Sequence, residues 1–596
     1  TRRSWRGSRV RSRIHAAAAL AARRREPALR WVILTNGDLW RLLDAQALRR
    51  YEAYVQIDVG KLARGASDPS ALRVFFRCFF RTAFVQDGNG KTGIEKLLEA
   101  SDHATEKAEK HLKERVSGTD GIMAQLCLGL VRSTGKSRLS EEERDAIYRD
   151  ATTLLYRILF FLFAESRSLL PVEKPNYAAV SMQHLVEAAR DGQQRGLDQP
   201  QATRLWSSLK RLSNAIYESD PNLDIPAYNG GLFDDDDHPY LRDGFIADQY
   251  LSKALFDLAF LQNGSDIRSI DYRDLSVRHL GSLYEGMIEY KLFVAEEPML
   301  ARRDNKSGII HFMTQEEGGG LRRNDQEIKP REVYFAQNSG ERRATGTYYT
   351  PEQIVDYIVH NTVVRGLEER RAPLDEKLKA WIDEIYLADA DERSSLQRTV
   401  DDELLKFVEE QALAITVCDP AMGSGHFLVN AAHNISDFVV ETLCVTAWEN
   451  QNLETSPSYW RRRVVERCLF GVDISEMAVE LAKLSLWLVS MTINKPLSFL
   501  DHHFRHGNSL IGARLEDVNN SLGKIISTNV SRREMKLLSS GQLSMLNDPA
   551  FSRHLFTAMN LITKISEQLS ETVADIKSQE RDYEKAREEL APFRRL

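Results

Sequence analysis

Hydrophobic and polar positions divide the chain into stretches of different period. Two β-rich apolar runs, Trp31-Val-Ile-Leu-Thr and Leu39-Trp-Arg-Leu-Leu43, flank Asn36-Gly37, a pairing that predicts a hairpin. A third short strand is expected over 53–59, whereas residues 1–30 read as poorly structured or partly helical. Residues 70–300 follow a helical period. In Glu141–Leu170 the residues Leu154, Leu155, Ile158, Leu159, Leu162 and Phe163 form a broad apolar face, and Pro171 ends the pattern. A loop is expected over 219–240, with an acidic run Asp234–Asp237, and a helix over Arg278–Leu292. The polar, Gly-rich stretch 302–346 reads as a flexible connector.

From Thr347 the texture changes. A helix is expected after Thr350-Pro351, with Pro in its first turn and Glu352 at the positive end of its dipole. A charged helical stretch follows over 370–412. Next come a strand at Ala414–Cys418, a Gly-rich loop and a helix from Phe427. A second strand, Cys468–Val472, runs into Asp473, and Ser475 is placed to cap a helix through Leu488. This strand–loop–helix alternation predicts an α/β fold with a doubly wound parallel sheet, preceded by a large, mostly helical region. Residues 560–593 read as one long charged helix.

Composition narrows the class little. The chain has 596 residues and a net charge of −6, a balance that neither demands nor excludes a nucleic-acid partner. Its five cysteines are scattered and show no CxxC spacing, which argues against a disulfide framework or a zinc finger and for a cytoplasmic setting. No run approaches the ~18 apolar residues that a membrane span needs, so no membrane partner is expected.

Chemistry concentrates in Asp419-Pro-Ala-Met-Gly-Ser-Gly-His-Phe-Leu428. Gly423 and Gly425 allow a sharp turn and close approach of a ligand, and the loop feeds a helix N-terminus that favours anionic groups. The order of residues is neither the dinucleotide fingerprint Gly-x-Gly-x-x-Gly nor a P-loop. Asp473, at the C-terminal end of the next strand, alone reads as a helix N-cap or loop acid, but its spacing after the glycine loop places it to accept hydrogen bonds from ribose hydroxyls. His506-Gly-Asn508-Ser-Leu is either a plain turn or a ligand-side loop. Thr345-Gly-Thr-Tyr-Tyr349-Thr-Pro351 offers an aromatic that could lie over a cation.

In this register the four pieces resemble adenine-N6 DNA methyltransferases, in the permuted order where the segment on the methionine side comes first. The likeness is nearest to the large methylases of type IIG restriction enzymes and related phage-defence methylases. Tyr156–Glu165, Tyr228–Phe233 and the stretch from Leu280 to Tyr284-Glu285 are similar to the helical region of those proteins, and Trp31–Leu43 resembles the strand pair closing their nuclease-like domain. The resemblance implies a Rossmann-like sheet that binds S-adenosyl-L-methionine. Thr347, Tyr349, Asp419, Pro420, Gly423, Gly425, Asp473 and Asn508 would hold this cofactor. It also implies double-stranded DNA as partner, with a restriction or specificity subunit as a candidate second one. The implied divisions are 1–70, a remnant of a nuclease-like domain; 71–330, a helical connector domain; 331–513, the methyltransferase core; and 514–596, a helical insertion.

Two departures qualify the resemblance. The family's catalytic Asn- or Asp-Pro-Pro-aromatic motif, which grips a flipped adenine, is absent from these residues; Asn547-Asp-Pro-Ala-Phe551 lacks the second proline. No catalytic residue is therefore assigned. With Thr as residue 1, a truncated product is the simplest expectation, one that alone transfers no methyl group. The alternative is a non-catalytic DNA-binding or scaffold remnant. At the nuclease end, residues 1–30 offer only Glu26 as a metal-binding acid. Glu289-Tyr-Lys291 and Glu327-Ile-Lys329 fit the Glu-x-Lys triplet, but in a predicted helix and a predicted connector. His502, His503 and His506 read as loop histidines, so no metal site is assigned.

Overall fold

The structure is a computed structural model that describes residues 29–591 apart from 45–53, 274–280, 304–309, 338–349, 445–452, 511–548 and several shorter stretches. The expectations for residues 1–28, for Thr347 and Tyr349 and for 514–548 fall outside the described residues. The chain forms two compact units. One comprises Thr1–His111, Thr350–Val417 and Val429–Cys468; the other comprises Leu112–Tyr349, Cys418–Leu428 and Leu469–Leu596.

In the first unit the predicted hairpin is present. Strands β1 (Trp31–Thr35) and β2 (Leu39–Asp44) pair antiparallel, and β3 (Tyr54–Asp58) adds to β2. The turn works because Gly37 adopts φ +98° and Asn36 Oδ1 accepts from the Asp38 and Leu39 N–H groups at 3.1 and 2.8 Å. One sheet face packs Leu42 against Cys78 and Ile94. The helix after Pro351 spans Glu352–Val359, so the proline stands just before the helix rather than inside its first turn. The charged stretch divides into helices Arg365–Leu387 and Ala390–Phe407, and Asp389 caps the second through the Asp391 and Glu392 N–H groups. In the helix Pro457–Arg467, Arg463 and Arg467 both bind Glu409.

In the second unit the spine is the helix Glu141–Ser166. Its start is a capping box: Ser140 accepts from the Glu143 N–H while Glu143 accepts from the Ser140 N–H. Its apolar face is buried, but so are Arg157 and Glu165. Arg157 donates to the carbonyls of Leu232 and Asp234 and to the Asp235 carboxylate, at 2.7 to 2.8 Å. The acidic run is thus in part the counter-charge of a buried guanidinium. Glu165 accepts from Tyr177 Oη and from the Met182 and Gln183 N–H groups, anchoring the start of the helix Met182–Arg195.

Three sequence expectations in this unit need correction. The helix placed over Arg278–Leu292 ends too late, because Tyr290 already begins a strand. The unit contains β4 (Phe260–Asn263), β5 (Asp266–Ser269), β6 (Tyr290–Val294), β7 (Met299–Arg303), β8 (Ile310–Thr314), β9 (Gln326–Ile328) and β10 (Val333–Gln337). Four of these, β7 to β10, fall in or run into the supposed connector. Alternate burial along β10 (Val333 and Phe335 buried, Tyr334 and Ala336 less so) is the period-2 signal that glycine content obscured. The glycines at 318–320 form a turn whose Gly318 and Gly320 carbonyls bind the Arg302 guanidinium, itself paired with Asp325. Glu327 and Lys291 therefore lie on strands, not in a connector and a helix. Lastly, 560–593 is not one helix: Pro549–Glu567 and Val573–Leu590 form a hairpin, and Thr572 starts the second helix with its own capping box to Asp575.

The last sheet has strand order β11-β12-β13, built from β11 (Val417–Asp419), β12 (Leu469–Asp473) and β13 (Phe504–His506), with β12 and β13 parallel. The helix His426–Leu443 follows β11, and Glu476–Ser490 follows β12, capped by Ser475 as expected. The Glu476–Ser490 helix packs against the Glu141–Ser166 spine. No helix among the described residues is long and apolar enough to cross a membrane, and all five cysteines are free.

Candidate functional site

The glycine loop leaves β11 at Asp419 and turns tightly, with the Gly425 N–H donating to the Met422 carbonyl at 2.8 Å. Gly423 and Gly425 adopt φ +53° and +79°, a region that L side chains rarely enter. A side chain on Gly423 would meet nothing within 4 Å, so the loop backbone faces open space there. On the other side the loop is held: a Cβ on Gly425 would stand 3.2 Å from the Ala482 Cβ, and one on Gly471 of β12 would overlap Met422 Sδ at 2.2 Å.

Asp473 ties three elements together. One carboxylate oxygen accepts from the Gly423 N–H at 2.9 Å and the other from the Ser475 N–H at 2.8 Å. Its carbonyl accepts from the Gly507 N–H at 2.8 Å. The glycine loop, the start of the Glu476–Ser490 helix and the turn carrying Asn508 therefore converge on one residue. Each carboxylate oxygen keeps a further lone pair for a ligand hydroxyl.

Asp419 is the site's unbalanced charge. Its Oδ1 accepts from the Ala421 N–H at 3.0 Å, while Oδ2 is buried without a hydrogen-bond partner. Burial pushes its carboxyl above the ordinary carboxylate range; the Ala421 N–H opposes this and the nearby Asp473 charge adds to it. A buried, unpartnered carboxylate oxygen at a strand end can be satisfied by a cationic or donor group of a ligand.

The structure thus brings together Asp419, Pro420, Gly423, Gly425, Asp473 and the Asn508 turn. Asn508 is exposed, and its Oδ1 accepts from the Leu510 N–H at 3.0 Å. Sequence reading passed over Ile474, which is 45% exposed directly after Asp473. The signal available was an aliphatic residue after a strand-ending acid, where a buried strand has already ended. His502 and His503, read as loop histidines, form a turn before β13 but are buried: the His502 ring stacks on Phe499 with centroids 5.5 Å apart. His506 is exposed and its ring bonds the Ile474 carbonyl. Among the described residues no group of three or more His, Cys, Asp or Glu is placed to hold a metal ion.

A strand-end acid, a glycine loop opening a helix and a second strand-end acid thus stand together at the ends of neighbouring strands. Residues 392–507 match the family model described as MmeI, DNA-methyltransferase domain. The stretch around the glycine loop is thus similar to DNA methyltransferases of restriction–modification proteins. A Methanocaldococcus jannaschii protein described as a type II restriction enzyme and methyltransferase is 29% identical over 184 residues, 29% of this chain and 15% of that protein. A solved structure of the type IIL restriction–modification enzyme MmeI in complex with DNA is similar at a TM-score of 0.36 and 17% identity, over 67% of this chain and 42% of that one. The chain therefore spans less than half the length of the relatives it matches.

Proposed function

We propose that the glycine-loop site binds S-adenosyl-L-methionine and that the protein serves methyl transfer to the N6 amino group of adenine in double-stranded DNA. In this reading β11-β12-β13 with their following helices are one half of a Rossmann-like sheet, residues 331–513 are the methyltransferase core and 71–330 a helical connector. The bound cofactor would supply a methyl group on a sulfonium, ready for transfer to a nitrogen lone pair.

The chain's own residues would bind and orient it. Asp419 Oδ2 would take the cofactor's ammonium, the group of matching charge for a buried and unpartnered acid oxygen. Asp473, already fixed by Gly423 and Ser475, would use its remaining lone pairs for the ribose hydroxyls. Pro420, Gly423 and Gly425 would keep the loop backbone close to the ligand. Ile474 would offer an apolar face to the adenine ring, with Asn508 at its polar edge, and Thr347 and Tyr349 would close the methionine end.

The observation that carries this reading is the buried, partnerless oxygen of Asp419 beside an open glycine loop. The residues present fit the cofactor side of a methyltransferase site. The side that grips the base is another matter, since the 596 residues contain no Asn- or Asp-Pro-Pro-aromatic motif. The purified chain is expected to bind the cofactor and to transfer no methyl group to DNA. Incubation with DNA and cofactor labelled in the methyl group checks this: label in adenine would overturn the division of labour, and absence of any cofactor binding would overturn the reading itself.

A further inference from the structure

Gly281 belongs to the region before the methyltransferase stretch, yet it is buried against the glycine loop. A Cβ built on Gly281 would lie 2.5 Å from Ser424 Oγ and 3.2 Å from Ser424 Cβ. Real Cβ atoms do not approach heavy atoms to 2.5 Å, so a side chain there must turn the Ser424 hydroxyl aside and, at 3.2 Å, push the Ser424 Cβ back by a few tenths of an ångström. Ser424 stands between Gly423, whose N–H is bound by Asp473, and Gly425, whose Cα lies against Ala482. Both flanking glycines hold positive φ, and it is the Asp473 bond and the Ala482 contact, not the glycine backbone itself, that resist a shift of the loop.

We infer that Gly281 is a positioning residue for the glycine loop: its missing side chain is the space into which Ser424 fits, and so the helical region sets the conformation of the cofactor loop. The contact joins residues 143 positions apart and holds the loop at the residue between its two glycines. Pushing Ser424 would strain the Gly423–Asp473 bond, so the consequence falls on the two groups that face the ligand. The part of this inference that concerns the ligand rests on the cofactor reading above; the part that concerns loop conformation does not.

The test is a double-mutant cycle on the full chain with Gly281→Ala, Ser424→Gly and both together. Two quantities are read: amide hydrogen exchange of the 417–428 segment, and the Kd for S-adenosylhomocysteine, which cannot react. Gly281→Ala is expected to speed exchange in the loop and weaken binding by about tenfold, the effect of a modest overpacking strain. In the Ser424→Gly background the same substitution is expected to change neither quantity more than about twofold, since additivity errors are of that size. Equal effects in both backgrounds, or unchanged loop exchange, would overturn the inference. Should Gly281→Ala not fold, Ser424→Thr adds bulk to the same contact from the loop side with Gly281 intact and is read in the same way. Faster exchange rescued by Ser424→Gly, in a chain that binds no cofactor analogue, would uphold the positioning role and overturn the cofactor reading.

Discussion

The Gly423 N–H and the Asp473 carboxylate meet at 2.9 Å, and this bond joins two strand ends fifty positions apart in sequence. It makes the second acid part of the first loop: whatever moves Asp473 also releases a loop amide. Asp473→Ala removes the acceptors of both the Gly423 and Ser475 N–H groups. The charged hydrogen bonds involved are worth about 1.5–3 kcal/mol each, so cofactor affinity is expected to fall by at least about tenfold to a hundredfold. Isothermal titration of the variant checks this, with circular dichroism to show that the helices persist. Asp473→Asn keeps an acceptor oxygen and is expected to lose less.

Asp419 gives the site its own pH dependence. Burial raises its carboxyl pKa, so protonation on acidification begins at higher pH than for an ordinary carboxylate. If the ionised form holds an ammonium, affinity is lost as pH falls through that raised value. Stability of the unliganded chain runs the other way. A carboxyl whose folded pKa is raised contributes stability below its unfolded pKa, and this contribution is lost as pH rises through the folded value. Cofactor affinity and unliganded stability should therefore respond to Asp419 with opposite signs. Titrations across the weakly acidic range, repeated with Asp419→Asn, are expected to show the acid-side loss of affinity only in the unsubstituted chain.

Gly471 tests whether the loop's support is as tight as it looks. An added Cβ there would overlap Met422 Sδ and crowd Leu428 and Phe504 at 3.1 and 3.2 Å. Gly471→Ala is expected to destabilise the fold by about 1–3 kcal/mol, the range for overpacking a close core. Urea denaturation measures it, and Met422→Ala in the same background should recover part of the loss.

How much of this was legible in the sequence depended on the range of the signal. Asn36-Gly37, the Ser475 cap and the Asp419–Gly425 loop are local signals, readable from a few neighbouring residues, and the structure places elements where they point. The missed strands β7 to β10 fell in or beside a stretch where glycines and charges outnumber apolar residues, and β6 fell at the end of a run read as helical. The break between Glu567 and Val573 was hidden because charged helix formers continue on both sides of the Thr572 cap. The burial of Arg157 beside Asp235 and the fit of Ser424 against Gly281 are long-range contacts, which no period or spacing encodes.

Arg157 is the test of the helical region. It is 2% exposed, and among the described residues Asp235 keeps Lys210 as its ion-pair partner when Arg157 is removed. Arg157→Ala also leaves the Leu232 and Asp234 carbonyls without their donor. The expected cost is about 3 kcal/mol, at the low end for breaking a buried ion pair because Lys210 remains. Chemical denaturation of the full chain checks the value, and a cost below about 1 kcal/mol would place the guanidinium among weak surface pairs instead.

The central claim is that the glycine loop and the two strand-end acids form a cofactor site. The most direct measurement is calorimetric titration of S-adenosyl-L-methionine into the full chain, beside Asp419→Ala and Asp473→Ala. Saturable binding near one cofactor per chain, lost or strongly weakened in both variants, is the predicted result. No binding to the unsubstituted chain, or binding that neither variant changes, would contradict the account.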